Sequence, residues 1–69
     1  MAAGRFIITA KDEYGIPYNF MVLAYTEETA REMFDEANTG KIIEYCYPML
    51  NDVTYSTVKQ ITPDVFEVR

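Results

Sequence analysis

The 69-residue sequence contains no histidine and no tryptophan, and its one cysteine is Cys46. Without histidine the chain lacks the usual general base near neutral pH and the commonest protein ligand for metals. A lone cysteine cannot form an internal disulfide, and here no histidine is present to activate it as a nucleophile. Gly15 and Gly40 are isolated, so no phosphate-binding loop is present. We therefore expect no catalytic site, no metal and no cofactor, and we interpret Cys46 as a small buried strand residue.

Basic residues are also scarce, with six Lys and Arg against eleven Asp and Glu and a net charge of −5. The six occur singly along the chain, whereas nucleic-acid binding depends on clustered lysine and arginine that contact phosphates. The acidity is too mild for a protein that imitates nucleic acid with a dense array of carboxylates. The composition therefore argues against direct nucleic-acid binding.

Long apolar runs are missing as well, so the sequence predicts no transmembrane helix. The first residues lack the basic and then apolar layout of a signal peptide. With a single cysteine, these features predict a cytoplasmic protein. The length and the 49% of apolar residues predict one folded domain over residues 1–69, near the lower size limit for independent folding.

The first half of the chain predicts a hairpin followed by a helix. Arg5–Lys11 and Tyr18–Tyr25 are rich in β-branched and aromatic residues, and Gly and Pro between them indicate a turn. Thr26 is a good N-cap for a helix that continues to Asn38. One face of this helix is apolar, with Ala30, Met33, Phe34 and Ala37 at helical spacing.

The second half predicts three strands. The third is Lys41–Tyr47, extending at most to Leu50, since Pro48 indicates an edge, a bulge or the end of a strand. A turn at Asn51-Asp52 would lead into a fourth strand, Val53–Ile61, and Val65–Val68 is a short fifth. The order ββαβββ predicts an α+β fold, a mostly antiparallel sheet of four to five strands with one helix on one face.

One helix covers only one face of such a sheet, so alternation along the strands decides what stays uncovered. For the core we expect Phe6, Ile8, Phe20, Val22, Ile42, Val58 and Phe66. Cys46 should lie on the same side as Ile42. The opposite face should carry Tyr45, Tyr47 and Tyr55, joined by Tyr25, Met21 and Met49.

Two interpretations of these tyrosines stay open. They can be cross-strand aromatic pairs on a solvated sheet, each worth roughly 0.2–1 kcal/mol. They can equally form an interface, because Tyr and Met are enriched in interface cores. A second candidate surface is the acidic stripe of the helix, formed by Glu28, Glu32, Asp35 and Glu36. This stripe is either a solvated face or a surface that docks onto a basic partner.

One run of the chain leads from a hairpin into a short helix before further strands: Leu23-Ala24-Tyr25-Thr26-Glu27-Glu28-Thr29-Ala30-Arg31. This layout resembles the build of small phage-encoded anti-CRISPR proteins. The resemblance covers most of the chain as topology and transfers no functional residue. It implies a protein that binds a CRISPR effector complex or another nucleic-acid-binding host protein. A small archaeal ribosomal protein has a similar element order, but the acidity here counts against that likeness.

We therefore expect a non-enzymatic protein-binding module. In the first hypothesis it is a stoichiometric inhibitor that occludes a site on a larger nucleic-acid-handling complex. In the alternative it is an assembly module that forms a homodimer or larger homo-oligomer through the tyrosine face. The candidate partner-binding residues are Tyr45, Tyr47, Tyr55, Met49, Glu28, Glu32, Asp35 and Glu36.

Overall fold

The computed structural model describes residues 4–69, which form one five-stranded antiparallel sheet and one helix. The elements are β1 (Gly4–Lys11), β2 (Pro17–Ala24), α1 (Glu27–Glu36), β3 (Ile42–Pro48), β4 (Val58–Thr62) and β5 (Val65–Val68). The predicted order ββαβββ is thus confirmed, and the structure is a small α+β fold in which the sheet predominates.

Strands β1 and β2 form the predicted antiparallel hairpin, with Lys11 opposite Pro17 at its closed end. The carboxylate of Asp12 accepts hydrogen bonds from the backbone N–H groups of Tyr14 and Ile16 across the turn. Gly15 has a φ of 79°, a left-handed conformation that glycine adopts without steric cost. The local sequence therefore determines this turn.

The helix begins as predicted, since the hydroxyl of Thr26 accepts a hydrogen bond from the N–H of Thr29 at 3.1 Å. It ends at Glu36, two residues before the predicted end. Asn38 and Gly40 follow with left-handed φ values of 52° and 76°, which turn the chain toward β3. Within residues 4–69, no helix is long and apolar enough to span a membrane.

The main core lies between this helix and one face of the sheet. Alternate residues of β1 and β2 pack against Ala30 and Phe34 of the helix. The rings of Phe20 and Phe34 meet edge to face, with centroids 4.9 Å apart. Four of the predicted core residues are confirmed as buried: Phe6, Ile8, Phe20 and Val22.

The three remaining core predictions fail, two of them at the sheet edges. Ile42 is 80% exposed and Val58 is 55% exposed, while Phe66 is half-buried and pairs with Met21 on the other face. A bulge between β1 and β3, at the step from Thr9 to Ala10, shifts the register by one residue. Ile43 therefore packs against the core in place of Ile42.

The strand order β3-β1-β2-β5-β4 places β3 and β4 at opposite edges of the sheet. The predicted hairpin turn at Asn51-Asp52 is therefore wrong, and so is the predicted start of the fourth strand at Val53, because β4 begins at Val58. Crossing four strand spacings requires about 19 Å of chain. Residues 49–57 cover this distance outside any strand, although Val53, Thr54 and Tyr55 alternate as strand residues do.

Candidate functional site

Tyr45 and Tyr47 lie on the face of the sheet that points away from the helix. They pair with Thr9 and Ile7 in β1, while Cys46 between them pairs with Ile8 and packs against the helix-side core. Tyr45 is 59% exposed and Tyr47 is 50% exposed. The predicted orientations of both tyrosines and of Cys46 are confirmed. Burial raises the pKa of the Cys46 thiol, which favours the unreactive protonated form.

The segment that connects β3 to β4, residues 49–57, lies over this same face; we call the segment the strap and the face the strap face. At its start, the N–H of Met49 donates to the carbonyl of Arg5 at 2.8 Å. At its end, the N–H groups of Ser56 and Thr57 donate to the carbonyl of Arg69. In between, the Arg5 guanidinium contacts the Asp52 carboxylate at 2.6 Å. The strap is therefore attached at both ends and once in the middle.

Two sheet residues on the strap face are buried even though the helix packs on the other face. Ile7 is 6% exposed and Val68 is 1% exposed, and neither belongs to the cluster packed against the helix. Ile7 pairs with Tyr47 and Val68 pairs with Asn19, which places both on the strap face. The strap face is thus partly covered, and the exposed tyrosines lie beside the cover.

An open cleft of about 450 Å³ lies between the strap and the sheet. Its lining is largely apolar and combines sheet and strap residues: Ile7, Asn19, Tyr47, Pro48, Met49, Leu50, Asn51, Val53 and Tyr55. No charged side chain is among them. The cleft adjoins Tyr45 through its neighbour Tyr47, so the exposed tyrosines and the cleft form one continuous surface.

The structure changes the place of two predicted site residues. Tyr55 was expected on a strand beside Tyr45, but it is half-buried in the strap and lines the cleft. Met49 lies at the start of the strap, also half-buried. Leu50 and Val53 are not among the predicted site residues, but they are 86% and 55% exposed on the strap. The sequence signal for these two residues is that they lie on either side of the polar pair Asn51-Asp52.

The acidic stripe lies on the other side of the molecule. Its residues Glu28, Glu32, Asp35 and Glu36 are all exposed on the outer surface of α1, and the ion pairs within residues 4–69 do not involve them. Since α1 packs on the opposite face of the sheet, the stripe and the tyrosines point in opposite directions. A flat partner surface can contact only one of them.

Four of the six basic side chains are held in ion pairs: Arg5–Asp52, Lys11–Glu44, Arg31–Glu27 and Arg69–Glu67. The hydrogen bond with Glu44 raises the pKa of Lys11. A fifth base, Lys41, lies over the ring of Tyr18 at 4.5 Å from its centroid. The negative charge of the acidic stripe is therefore not neutralised by neighbouring bases.

Both edges of the sheet carry features that disfavour pairing with another strand. The register shifts once between β1 and β3 and once between β4 and β5, so each edge strand is bulged. Strand β4 also has the exposed Lys59. Bulges and edge lysines are common means of preventing edge-to-edge association. Contact through side chains on the strap face is therefore favoured over addition of a strand.

Polar residues at the hairpin turn between β1 and β2 have a structural role. The hydroxyl of Tyr18 donates to the carboxylate of Asp12 at 3.2 Å, which raises the pKa of Tyr18. Burial acts to raise the pKa of Asp12, but the hydrogen bonds from Ile16, Tyr14 and Tyr18 outweigh it and the pKa is lowered. Within residues 4–69, no three Cys, Asp or Glu side chains are close enough to hold a metal ion.

Comparison of the chain with protein-family models, with curated protein sequences and with solved structures found no match.

Proposed function

We propose that the chain is a small non-enzymatic protein-binding module that acts as a stoichiometric inhibitor. In this proposal it occupies a site on a larger nucleic-acid-handling protein or complex in the cytoplasm, as anti-CRISPR proteins do. The binding surface is the strap face around Tyr45 and Tyr47.

The observation that carries the proposal is the exposure of Tyr45 and Tyr47, at 59% and 50%, next to an apolar cleft. Exposed apolar surface that is continuous over several side chains is characteristic of interaction sites. Tyrosine is among the residues that contribute most to interface energies, because it has a large contact area and few rotatable bonds. Leu50 and Val53 extend this surface onto the strap.

The charge distribution supports a protein partner over nucleic acid. The chain has a net charge of −5, and four of its bases are already in ion pairs. A phosphate backbone would be repelled, whereas a basic nucleic-acid-binding protein would be attracted. With the strap face docked, the acidic stripe points outward and disfavours the approach of nucleic acid to the occupied site.

A second candidate function is homo-oligomerisation through the strap face. The neutrality of this surface favours it, since the cleft has no charged lining residue and Arg5 and Asp52 beside it form an ion pair. Two copies could meet there without bringing like charges together. Sedimentation velocity over a wide concentration range separates the candidates, because a concentration-independent monomer contradicts oligomerisation.

The experiment that tests the main proposal is affinity recovery from the native cytoplasm with three baits: the wild type, a Tyr45→Ala/Tyr47→Ala double variant, and Tyr14→Ala. Tyr14 is a matched control because it is 81% exposed on the hairpin turn and does not line the cleft. We expect the double variant to lose a nucleic-acid-handling partner that the wild type and Tyr14→Ala recover in equal amounts. Equal recovery by all three baits would refute the proposal.

A further inference from the structure

We infer that the cleft between the strap and the sheet is a receptor for one aromatic side chain, tyrosine or tryptophan, presented by a basic region of a partner protein. The inference rests on the proposed function and names the chemistry of the group that the strap face recognises.

The cleft has room for an aromatic ring, and its walls suit one. Its volume of about 450 Å³ lies within the range of about 300–1,000 Å³ that is usual for small ligand sites. Ile7 from the sheet supplies an aliphatic surface, and Tyr47 and Tyr55 supply two rings. Aromatic groups gain from edge-to-face or offset contact with such rings beyond the gain from apolar burial alone.

Two asparagines in the lining favour a ring with a polar edge. The hydroxyl of Thr9 donates to the side-chain carbonyl of Asn19 at 2.9 Å, which leaves the amide N–H groups of Asn19 as donors. Asn51 on the strap offers both a donor and an acceptor. A tyrosine hydroxyl or an indole N–H can pair with these amides. A purely aliphatic side chain would remove them from water without a partner.

The charges indicate the surroundings of that ring in the partner. The cleft itself has no charged lining residue, so the inserted group should be neutral. Outside the cleft the protein carries a net charge of −5. A partner with lysine or arginine around the inserted ring therefore gains long-range attraction without placing a charge in the apolar cleft.

The absence of tryptophan from the chain permits a direct test with short peptides, because the peptide indole is then the sole tryptophan fluorophore. The probes are acetylated, amidated Lys-Lys-Trp-Lys-Lys and Glu-Glu-Trp-Glu-Glu, with Lys-Lys-Ala-Lys-Lys measured as a competitor. We expect a blue shift of indole emission on binding of the basic tryptophan peptide. The alanine competitor should bind about tenfold more weakly, since it lacks the large apolar side chain. The acidic peptide should also bind more weakly than its basic counterpart.

A matched pair of variants locates the binding. Val53 and Val58 are each 55% exposed, but only Val53 lines the cleft. Val53→Asp should weaken binding of the basic tryptophan peptide about tenfold. Val58→Asp should leave the affinity for this peptide within about twofold of the wild-type value. Circular dichroism of both variants confirms that they are folded.

In the peptide and sedimentation experiments, three results would overturn the assignment. The first is equal affinity for the tryptophan and alanine peptides, and the second is an equal effect of the two valine variants on that affinity. The third is a second copy of the protein in the cleft, which would appear as concentration-dependent sedimentation that Val53→Asp abolishes. A wrong assignment of the cleft can be distinguished from a wrong proposed function. If Tyr45→Ala/Tyr47→Ala loses the native partner while Val53→Asp retains it, the binding function stands and the aromatic receptor is wrong.

Discussion

Replacement of Ile7 by alanine should destabilise the protein substantially, although Ile7 lies on the face of the sheet opposite the helix. The strap leaves this side chain only 6% exposed. Ile→Ala removes three carbon atoms, and at about 0.8 kcal/mol for each buried methylene the transfer cost is about 2.4 kcal/mol. Because Ile7 borders an open cleft, water can fill the vacated space. We therefore expect a loss of about 2 kcal/mol, at the low end of the range for core truncations.

Two other isoleucines calibrate this value. Ile8 is fully buried under the helix, so Ile8→Ala should lose about 3–4 kcal/mol from the transfer and cavity terms together. Ile42 is 80% exposed in β3, so Ile42→Ala removes little buried surface and tests only the preference of isoleucine for a strand. The free energy of unfolding should fall by at most about 1 kcal/mol.

Urea denaturation followed by circular dichroism gives the free energy of unfolding for the wild type, Ile7→Ala and Ile42→Ala, whereas Ile8→Ala should lose most of its folded signal even without urea. A small domain of this kind is stabilised by about 3–5 kcal/mol, so Ile7→Ala should remain folded in the absence of denaturant. An Ile7→Ala loss equal to that of Ile42→Ala would refute the reasoning, because it would mean that the strap does not cover the sheet.

Two further predictions concern the turns that shape the fold. Thr26→Ala should lower the free energy of unfolding by about 1 kcal/mol, because the helix loses its N-cap. Thr54→Ala on the exposed strap should change the free energy of unfolding by less than about 0.5 kcal/mol. Equal urea midpoints for the two variants would contradict the capping role of Thr26. Because the pKa of Asp12 is lowered from 3.8 by folding, its carboxylate stabilises the protein above that pH, and this stability is lost as the pH falls through the lowered value. The difference in thermal stability between the wild type and Asp12→Asn should therefore be largest near neutral pH and shrink below pH 3.8, and a difference independent of pH would contradict this role.

The parts of the fold that could be predicted from the sequence are those determined locally. Thr26 and the apolar spacing of Ala30 and Phe34 are sufficient to define the helix and its buried face. Alternation in β3 is likewise sufficient to place Tyr45 and Tyr47 away from Cys46, because no bulge interrupts these three residues.

The parts that could not be predicted depend on contacts between distant segments. The position of β4 at the far edge follows from the pairing of β5 with β2, which no local pattern encodes. Val53, Thr54 and Tyr55 alternate as a strand would, but as part of the strap they bridge the sheet. The exchange of Ile42 for Ile43 in the core has a similar origin, since a bulge against β1 is visible only when the strands are paired.

These differences change the candidate site more than they change the fold class. A hairpin between β3 and β4 would have placed Tyr55 beside Tyr45 on an open sheet. The strap instead moves Tyr55 into the wall of a cleft and exposes Leu50 and Val53. The binding surface is therefore a shaped surface, with two tyrosines next to a concave apolar site.

The most direct test of the strap face as the binding surface is site-specific photo-crosslinking in the cells that naturally produce the protein. A benzophenone amino acid would replace Tyr47 on the strap face, Glu32 on the acidic stripe or Tyr14 on the hairpin turn, all of them exposed. We predict a discrete crosslinked partner from position 47 and none from positions 14 and 32. Crosslinking from position 32 with none from position 47 would contradict the account and assign binding to the helix.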